Sequence, residues 1–234
     1  MNIALIIAGG VGSRMGQAIP KQFIKIYDKP VIVYTMEAFQ QHPDIDAIEV
    51  VCLDGWQETV YAYAKKYAIT KLESMVSGGV CGQESIRNGL YDIAERHKGE
   101  ADIVLVHDAI RPMLSQEIIT DNLRVCRQYG NAITVVPCTA AMLKTLDGIS
   151  SKEQVHRDNL KTTQTPQSFF LKDLLEAHKE AEEKGIVNSV ASCTLFIELG
   201  KKLYMSSGSE KNIKLTTPDD IEIFKALLNL KSSY

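Results

Sequence analysis

Short runs of apolar residues alternate with longer stretches of helical period from the start of the chain. Residues 3–8 form a compact apolar run that closes on Gly9-Gly10, which predicts a strand buried on both faces. Residues 31–41 carry Val31, Tyr34 and Phe39 at near-helical spacing and predict a helix. The pattern continues with a strand at 47–52, a helix at 58–67 and a strand at 73–76 that runs into Gly78-Gly79. A helix follows at 83–96, with Ile86, Leu90 and Ile93 on one face. After it come a buried strand at 103–107, a helix at 116–128 and a strand at 132–136 stopped by Pro137. Such alternation predicts an α/β fold with a mostly parallel central sheet, and a parallel sheet needs helices on both faces.

The pattern loosens at residues 143–159. Asp147-Gly148 is a hairpin turn signal among residues too polar for a core strand, so a projecting β-arm is expected at about 138–160. Helices are predicted at 171–184 and 190–199, and a last strand at 202–205. Thr217-Pro218-Asp219-Asp220 marks a helix start: an N-cap Thr, Pro at the first helical position, and acids at the positive end of the dipole. That helix should run to about Leu230. The whole of 1–234 reads as one domain.

Composition narrows the classes. The chain has 234 residues, 26 basic and 29 acidic, for a net charge of −3, and is 45% hydrophobic. These fractions exclude disorder, a collagenous chain and a coiled coil. The near-neutral balance argues against a nucleic-acid partner. The five cysteines, Cys52, Cys81, Cys126, Cys138 and Cys193, are odd in number and include no CxxC pair, which points to a reducing compartment rather than disulfides or zinc. The apolar N-terminus lacks the basic region of a signal peptide, and no apolar run approaches the ~20 residues that span a bilayer. The expectation is a cytoplasmic protein without membrane association.

The segment richest in chemistry is Ala8-Gly9-Gly10-Val11-Gly12-Ser13-Arg14-Met15-Gly16, directly after a predicted strand. Glycines let backbone amides approach a ligand closely, and successive amides in such a turn make a nest for anions. Arg14 and then Lys21, in Ile19-Pro20-Lys21-Gln22-Phe23, add two cations. This is apparatus for a polyphosphate. The dinucleotide fingerprint fits poorly, because the third glycine comes one place late, and no Gly-Lys-Ser or Gly-Lys-Thr of a P-loop occurs.

The Gly-x-Gly-x-Arg-Met run with Pro-Lys-Gln-Phe resembles the nucleotidyltransferases that activate sugar and polyol phosphates. Four more segments narrow the resemblance. They are Ser77-Gly78-Gly79 with Ser85; Val106-His107-Asp108-Ala109-Ile110-Arg111-Pro112; Arg157-Asp158 with Gln164-Thr165-Pro166-Gln167-Ser168-Phe169; and Asn212-Ile213-Lys214-Leu215-Thr216-Thr217-Pro218. In this order, over nearly the whole chain, they resemble the cytidylyltransferases of methylerythritol phosphate and ribitol 5-phosphate, and the Arg157 to Phe169 segment looks closer to the ribitol-phosphate branch.

The resemblance implies a Rossmann-like fold and transfer of CMP from CTP to a phosphorylated polyol, with release of pyrophosphate and with Mg²⁺ as cofactor. Such products feed cell-surface polymer or isoprenoid precursor synthesis. Attacker and target are both anionic, so cations must hold them together; one cation about 4 Å from a phosphate oxygen contributes roughly 4 kcal/mol at an effective dielectric of about 20. By match to the family, Arg14, Lys21 and Lys214 are the catalytic cations. Ala8, Gly9, Gly10, Gly12 and Ser13, with Gly78, Gly79 and Ser85, frame the nucleotide. Asp108, after a buried strand, is the metal ligand, and Arg157 and Thr165 grip the acceptor phosphate. In the related enzymes the arm crosses to a second subunit, so a homodimer is expected and Arg157 would serve the neighbour's site. His107, inside a strand, is expected to be structural.

Three positions depart from the family pattern. Ala140-Ala141 stand for an Asp-Thr pair, Val190-Ala191 for a Thr-Asp pair, and Gly82 for an Arg. The first two remove groups associated with the acceptor side, and a pocket without hydrogen-bonding groups discriminates weakly. They leave room for an acceptor other than the two family substrates. Methylerythritol phosphate as acceptor, a dinucleotide enzyme and a non-catalytic nucleotide-binding subunit stand as alternatives.

Overall fold

A computed structural model of the chain describes residues 1–10, 19–99 and 101–231. In chain order the elements are β1 (Asn2–Ala8), β2 (Lys25–Ile26), β3 (Lys29–Pro30), α1 (Val31–Gln41), β4 (Ala47–Cys52), α2 (Gln57–Lys66), β5 (Leu72–Ser77) and α3 (Gly82–Arg96). They continue as β6 (Ile103–Asp108), α4 (Gln116–Tyr129), β7 (Asn131–Pro137), β8 (Met142–Lys144), β9 (Glu153–Val155), β10 (Lys161–Phe170), α5 (Leu171–Glu183), α6 (Ser192–Glu198), β11 (Met205–Ser207) and α7 (Pro218–Lys231). Seven strands form one sheet in the order β11-β7-β10-β6-β1-β4-β5. Six run the same way; β10 alone is antiparallel to both its neighbours. The expected α/β fold with a mostly parallel sheet is what forms.

The alternation along β1 shows why its run is apolar throughout. Ala4, Ile6 and Ala8 join the cluster under α1, α2 and α4, while Ile3 and Leu5 join the one under α3, α5 and α6. A strand covered on both faces has no wet side and needs no polar positions. A third cluster seats α7: Phe224 and Ile221 pack on Leu215, Ile110 and Val31, and Phe224 meets the Tyr34 ring edge-on at 5.2 Å. Packing of this cluster, with Leu215 N–H donating to Ile110 O at 2.9 Å, brings the 211–217 segment to the end of β6.

Three expectations need correction. No strand was expected at Lys161–Phe170, yet β10 is the longest in the sheet. Several of its buried positions are amides and hydroxyls (Gln164, Gln167 and Ser168), so no apolar pattern marks it. The last strand is Met205–Ser207 rather than 202–205, because buried Ser206 faces Thr134 and Asn122 rather than an apolar layer. Pro137 is the last residue of β7 and pairs with Lys161, so the strand ends on it rather than before it. At the start of α7 the Asp220 carboxylate accepts from the Thr216 and Thr217 amides, both at 2.7 Å, and the Thr217 hydroxyl also donates to it. The expected arm is a β8–β9 hairpin, exposed through most of its length.

Buried Asn122 on α4 fastens the odd strand. Its amide faces Ala132 O, Thr134 Oγ1, Pro166 O and Ser206 Oγ at 2.7 to 3.3 Å, and its carbonyl oxygen accepts from the Ser168 hydroxyl. One side chain thus ties β7, β10 and β11 to α4. Asn122→Ala leaves several buried groups unmet and should cost about 3 kcal/mol of stability in urea unfolding; a loss below about 1 kcal/mol would show that the strands are held by other means.

Candidate active site

Parallel strands β4, β1 and β6 end together. Ala8 lies beside Cys52, and Ile7 beside Asp108. Crevices outside the carboxyl ends of such strands are where open α/β sheets take ligands. Two glycine loops meet there. A Cβ on Gly9 would stand 3.2 Å from the Gly78 Cα, and one on Gly78 would stand 3.2 Å from the Gly9 Cα, so the loops touch through bare main chain. A Cβ on Gly79 would fall 2.4 Å from Glu84 Cγ. The Ser85 hydroxyl accepts from Gly79 N–H at 3.0 Å and donates to Cys81 O at 2.9 Å, so it shapes its own loop and keeps one acceptor lone pair.

Gln22, 2% exposed, donates from its amide to Ala8 O at 2.7 Å and Gly10 O at 2.9 Å. Its neighbour Phe23 stacks on Trp56 with ring centroids 4.1 Å apart. These two anchors fix the short turn that carries Lys21, whose charge reaches Asp220 and helps hold that carboxyl below its usual range. Gly12, Ser13 and Arg14 lie outside the described residues.

Beyond the glycine loops lies a cleft of about 300 Å³ lined by His107, Asp108, Arg111, Thr165 and Lys214, among others. Lys214 Nζ stands 3.1 Å from one Asp108 oxygen and 3.2 Å from the other, and Arg111 Nε stands 3.2 Å from Oδ2. Burial raises the Asp108 carboxyl, but Lys214 and then Arg111 outweigh it and hold the group below the usual carboxylate range. Arg111 also donates to Asn212 O at 2.8 Å, and the Asn212 amide to Thr165 O at 2.9 Å. The Asp108 N–H donates to the Thr165 hydroxyl at 3.1 Å. A second recess of about 350 Å³ shares Arg111, Gln164 and Lys214 and extends past Ala140 at the root of the arm.

His107 is fully buried. One ring nitrogen faces Arg111 O at 3.2 Å and the other faces Thr165 Oγ1 at 3.0 Å. Burial pushes it down to about 4, against the raising influence of Asp108. It is a structural residue, as expected.

The expected site residues divide in two. The fold brings Gly9, which follows Ala8 and precedes Gly10, against Gly78 and Ser85, with Gly79 next in that loop, and it gathers Asp108, Lys214 and Thr165 in one cleft. Arg157 does not line that cleft; it is exposed near the root of the arm and donates at 3.0 Å to the carbonyl of Thr139, which lines the recess shared with Arg111 and Lys214. Val190 and Ala191 line the cleft. Gln22, Arg111, Asn212 and Gln83 were given no role, although the first three stand inside the quoted motifs. Gln83 donates to Ile186 O at 2.6 Å and accepts from Ser189 N–H at 2.8 Å, which secures the loop that carries Val190. Among the described residues no group of three or more His, Cys, Asp or Glu could hold a metal ion without help from a ligand.

Comparison with known proteins places these features. The family model of 2-C-methyl-D-erythritol 4-phosphate cytidylyltransferases, IspD, matches residues 2–230. A ribitol-5-phosphate cytidylyltransferase of Lacticaseibacillus paracasei is 40% identical over 233 residues, covering 99% of both chains. A 2-C-methyl-D-erythritol 4-phosphate cytidylyltransferase of Clostridium acetobutylicum is 39% identical over 239 residues, again covering 99% of both. The solved structure of the latter enzyme from Francisella tularensis superposes with a TM-score of 0.79 at 27% identity, covering 96% of this chain and 98% of that one.

The buried histidine beside the cleft has a consequence for stability. The unfolded chain binds a proton on His107 as pH falls through about 6.5, while the folded chain resists until about 4. Stability is therefore lost on acidification across that window. Urea unfolding at pH 7 and pH 5 should differ by about 2 kcal/mol from this residue, and His107→Gln should remove its share of the slope.

Proposed function

The chain belongs to the IspD family of cytidylyltransferases, and from that premise we propose that it transfers CMP from CTP to ribitol 5-phosphate and releases pyrophosphate. The observation that carries this reading is the Lys214–Asp108–Arg111 cluster beside the two touching glycine loops. It puts cations where an acceptor phosphate and a triphosphate must be held against their mutual repulsion. The ribitol acceptor follows the Lacticaseibacillus relative and the segment from Arg157 to Phe169. The Clostridium relative favours methylerythritol phosphate as the second reading.

In the proposed reaction an acceptor phosphate oxygen attacks the α-phosphorus of CTP. A new P–O bond forms, the bond to the β-phosphate oxygen breaks, and pyrophosphate leaves. No base is required, because the acceptor phosphate is already ionised at neutral pH. His107 fits that economy: both its nitrogens are engaged and it is neutral. Backbone groups of Ala8, Gly9, Gly10, Gly78 and Gly79 would frame the base at the rim where the two loops meet. Arg14, Lys21 and Lys214 neutralise charge on the phosphates as it shifts to the leaving group. Magnesium bound with a triphosphate needs only one or two carboxylates, the phosphates supplying the rest, and Asp108 would be that carboxylate. Bound there, it would supply Lewis-acid stabilisation of the phosphoryl oxygens.

The arm supports a homodimer. Leu143, Leu146 and Ile149 are 69%, 96% and 92% exposed on it, an unusual concentration of apolar surface. Packed on a second copy, the arm would cover these residues and could carry Arg157 to the neighbour's cleft. No helix among the described residues is long and apolar enough to cross a membrane. The proposed substrates place the protein in the cytoplasm.

Pyrophosphate release from CTP and Mg²⁺ should be seen with ribitol 5-phosphate in a panel that includes erythritol, glycerol and methylerythritol phosphates, and EDTA should stop it. CTP binding without release on any acceptor would favour a regulatory subunit instead. Lys214→Ala and Arg14→Ala should each lower kcat by roughly two to three decades, as for loss of a transition-state charge donor; a loss under threefold removes that residue from the mechanism. Leu146→Asp with Ile149→Asp should shift sedimentation from dimer to monomer and lower kcat/KM for the acceptor. An unchanged dimer would place the interface elsewhere.

A further inference from the structure

One turn of helix serves two loops. On one side, the first turn of α3 holds the second glycine loop. The Ser85 hydroxyl accepts from Gly79 N–H at 3.0 Å, and the Glu84 carboxylate accepts from Val80 N–H at 2.7 Å. On another side, the same turn and its cap hold the segment between α5 and α6. Gln83 donates to Ile186 O at 2.6 Å and accepts from Ser189 N–H at 2.8 Å, and the Cys81 thiol donates to Val187 O at 3.3 Å. That segment runs on into Val190, Ala191 and Ser192, which line the cleft together with Asp108, Thr165 and Lys214.

Residues 186–191 form no helix or strand, and Val187 and Val190 are exposed, so neither a backbone ladder nor apolar packing fixes them. Most of their other ties run to the flanking helices. Ile186 N–H donates to Ala181 O at 2.8 Å, the Ser189 hydroxyl to Glu198 at 3.0 Å, and Ala191 N–H to the Thr194 hydroxyl at 2.9 Å. Just past the segment, Cys193 N–H donates to Gln167 on β10 at 3.0 Å. Arg87 joins α3 to α5 through Glu182, but that ion pair is exposed, and exposed pairs contribute little. Gln83 is only 8% exposed. Its carboxamide supplies a donor and an acceptor from one planar group, and both are used on this segment.

The transfer needs an attacking oxygen in line with the α-phosphorus, and a misplacement of about 1 Å costs about a hundredfold in rate. Building on the transferase reading above, we propose that Gln83 is a positioning residue for the acceptor. It fixes the cleft lining at 190–192 to the helical turn that shapes the nucleotide loop, and so sets where the acceptor lies relative to CTP. It acts through the backbone of 186–189. The bonds that shape the glycine loop come from Ser85 and Glu84 and do not pass through it, so its loss leaves the nucleotide side in place.

Gln83→Met keeps the length of the side chain and removes both bonds. It should lower kcat/KM for ribitol 5-phosphate about thirtyfold and leave KM for CTP within about twofold. Hydrogen exchange should be about tenfold faster at the Ser189 amide and unchanged at the Gly79 amide. Gln83→Asn carries the same group but draws it back from both partners; it should show the same split, and it decides the matter should Gln83→Met fail to fold. Equal losses toward CTP and acceptor, an acceptor loss under threefold, or faster exchange at both amides overturns the assignment and leaves the transferase reading intact. No turnover by the unaltered enzyme with any acceptor overturns both.

Discussion

A half-buried carboxylate between two cations, at the end of a buried strand, organises the site. Asp108 would be costly in that position alone, since a charge taken out of water must be paired. Lys214 and Arg111 pair it, and the pairing brings the chain together. Arg111 reaches on to the Asn212 carbonyl, and Asn212 to Thr165, so β6, β10 and the segment before α7 meet at one point. Packing of Phe224 and Leu215 below supplies the apolar support that lets Lys214 arrive there. Both cations are thereby held in place by a carboxylate of the protein itself.

The polar interior around this point has a pattern. Strand β10 is the antiparallel member of an otherwise parallel sheet, and it is fastened by side-chain hydrogen bonds more than by apolar contact. Asn122 binds it from below, and Gln167 accepts from the Cys193 N–H at its outer end. Hydrogen bonds demand geometry where apolar contacts demand only volume. A strand that must present Thr165 beside Asp108 is better placed by the former.

How much was legible beforehand follows from the same distinction. Strands β1, β4 and β6 were readable as short, nearly unbroken apolar runs, and helices α1 and α3 because their apolar positions repeat with the helical period. The glycine loops were readable because close main-chain approach has a residue signature. Strand β10 was not, because Gln164, Gln167 and Ser168 look like a loop until their partners are known. Gln22 lay in a quoted motif without a role, since its task is to bind two carbonyls that fold back onto it. Arg157 and Thr165 stand in one sequence segment, but only Thr165 lines the cleft with Asp108.

The contact between Gly9 and Gly78 carries an asymmetry. Two strand ends that touch through bare main chain are already as near as a polypeptide allows. Any replacement there adds atoms and pushes the loops apart, and none can draw them closer. Change at these positions can therefore only widen the spacing of the two strand ends and never tighten it.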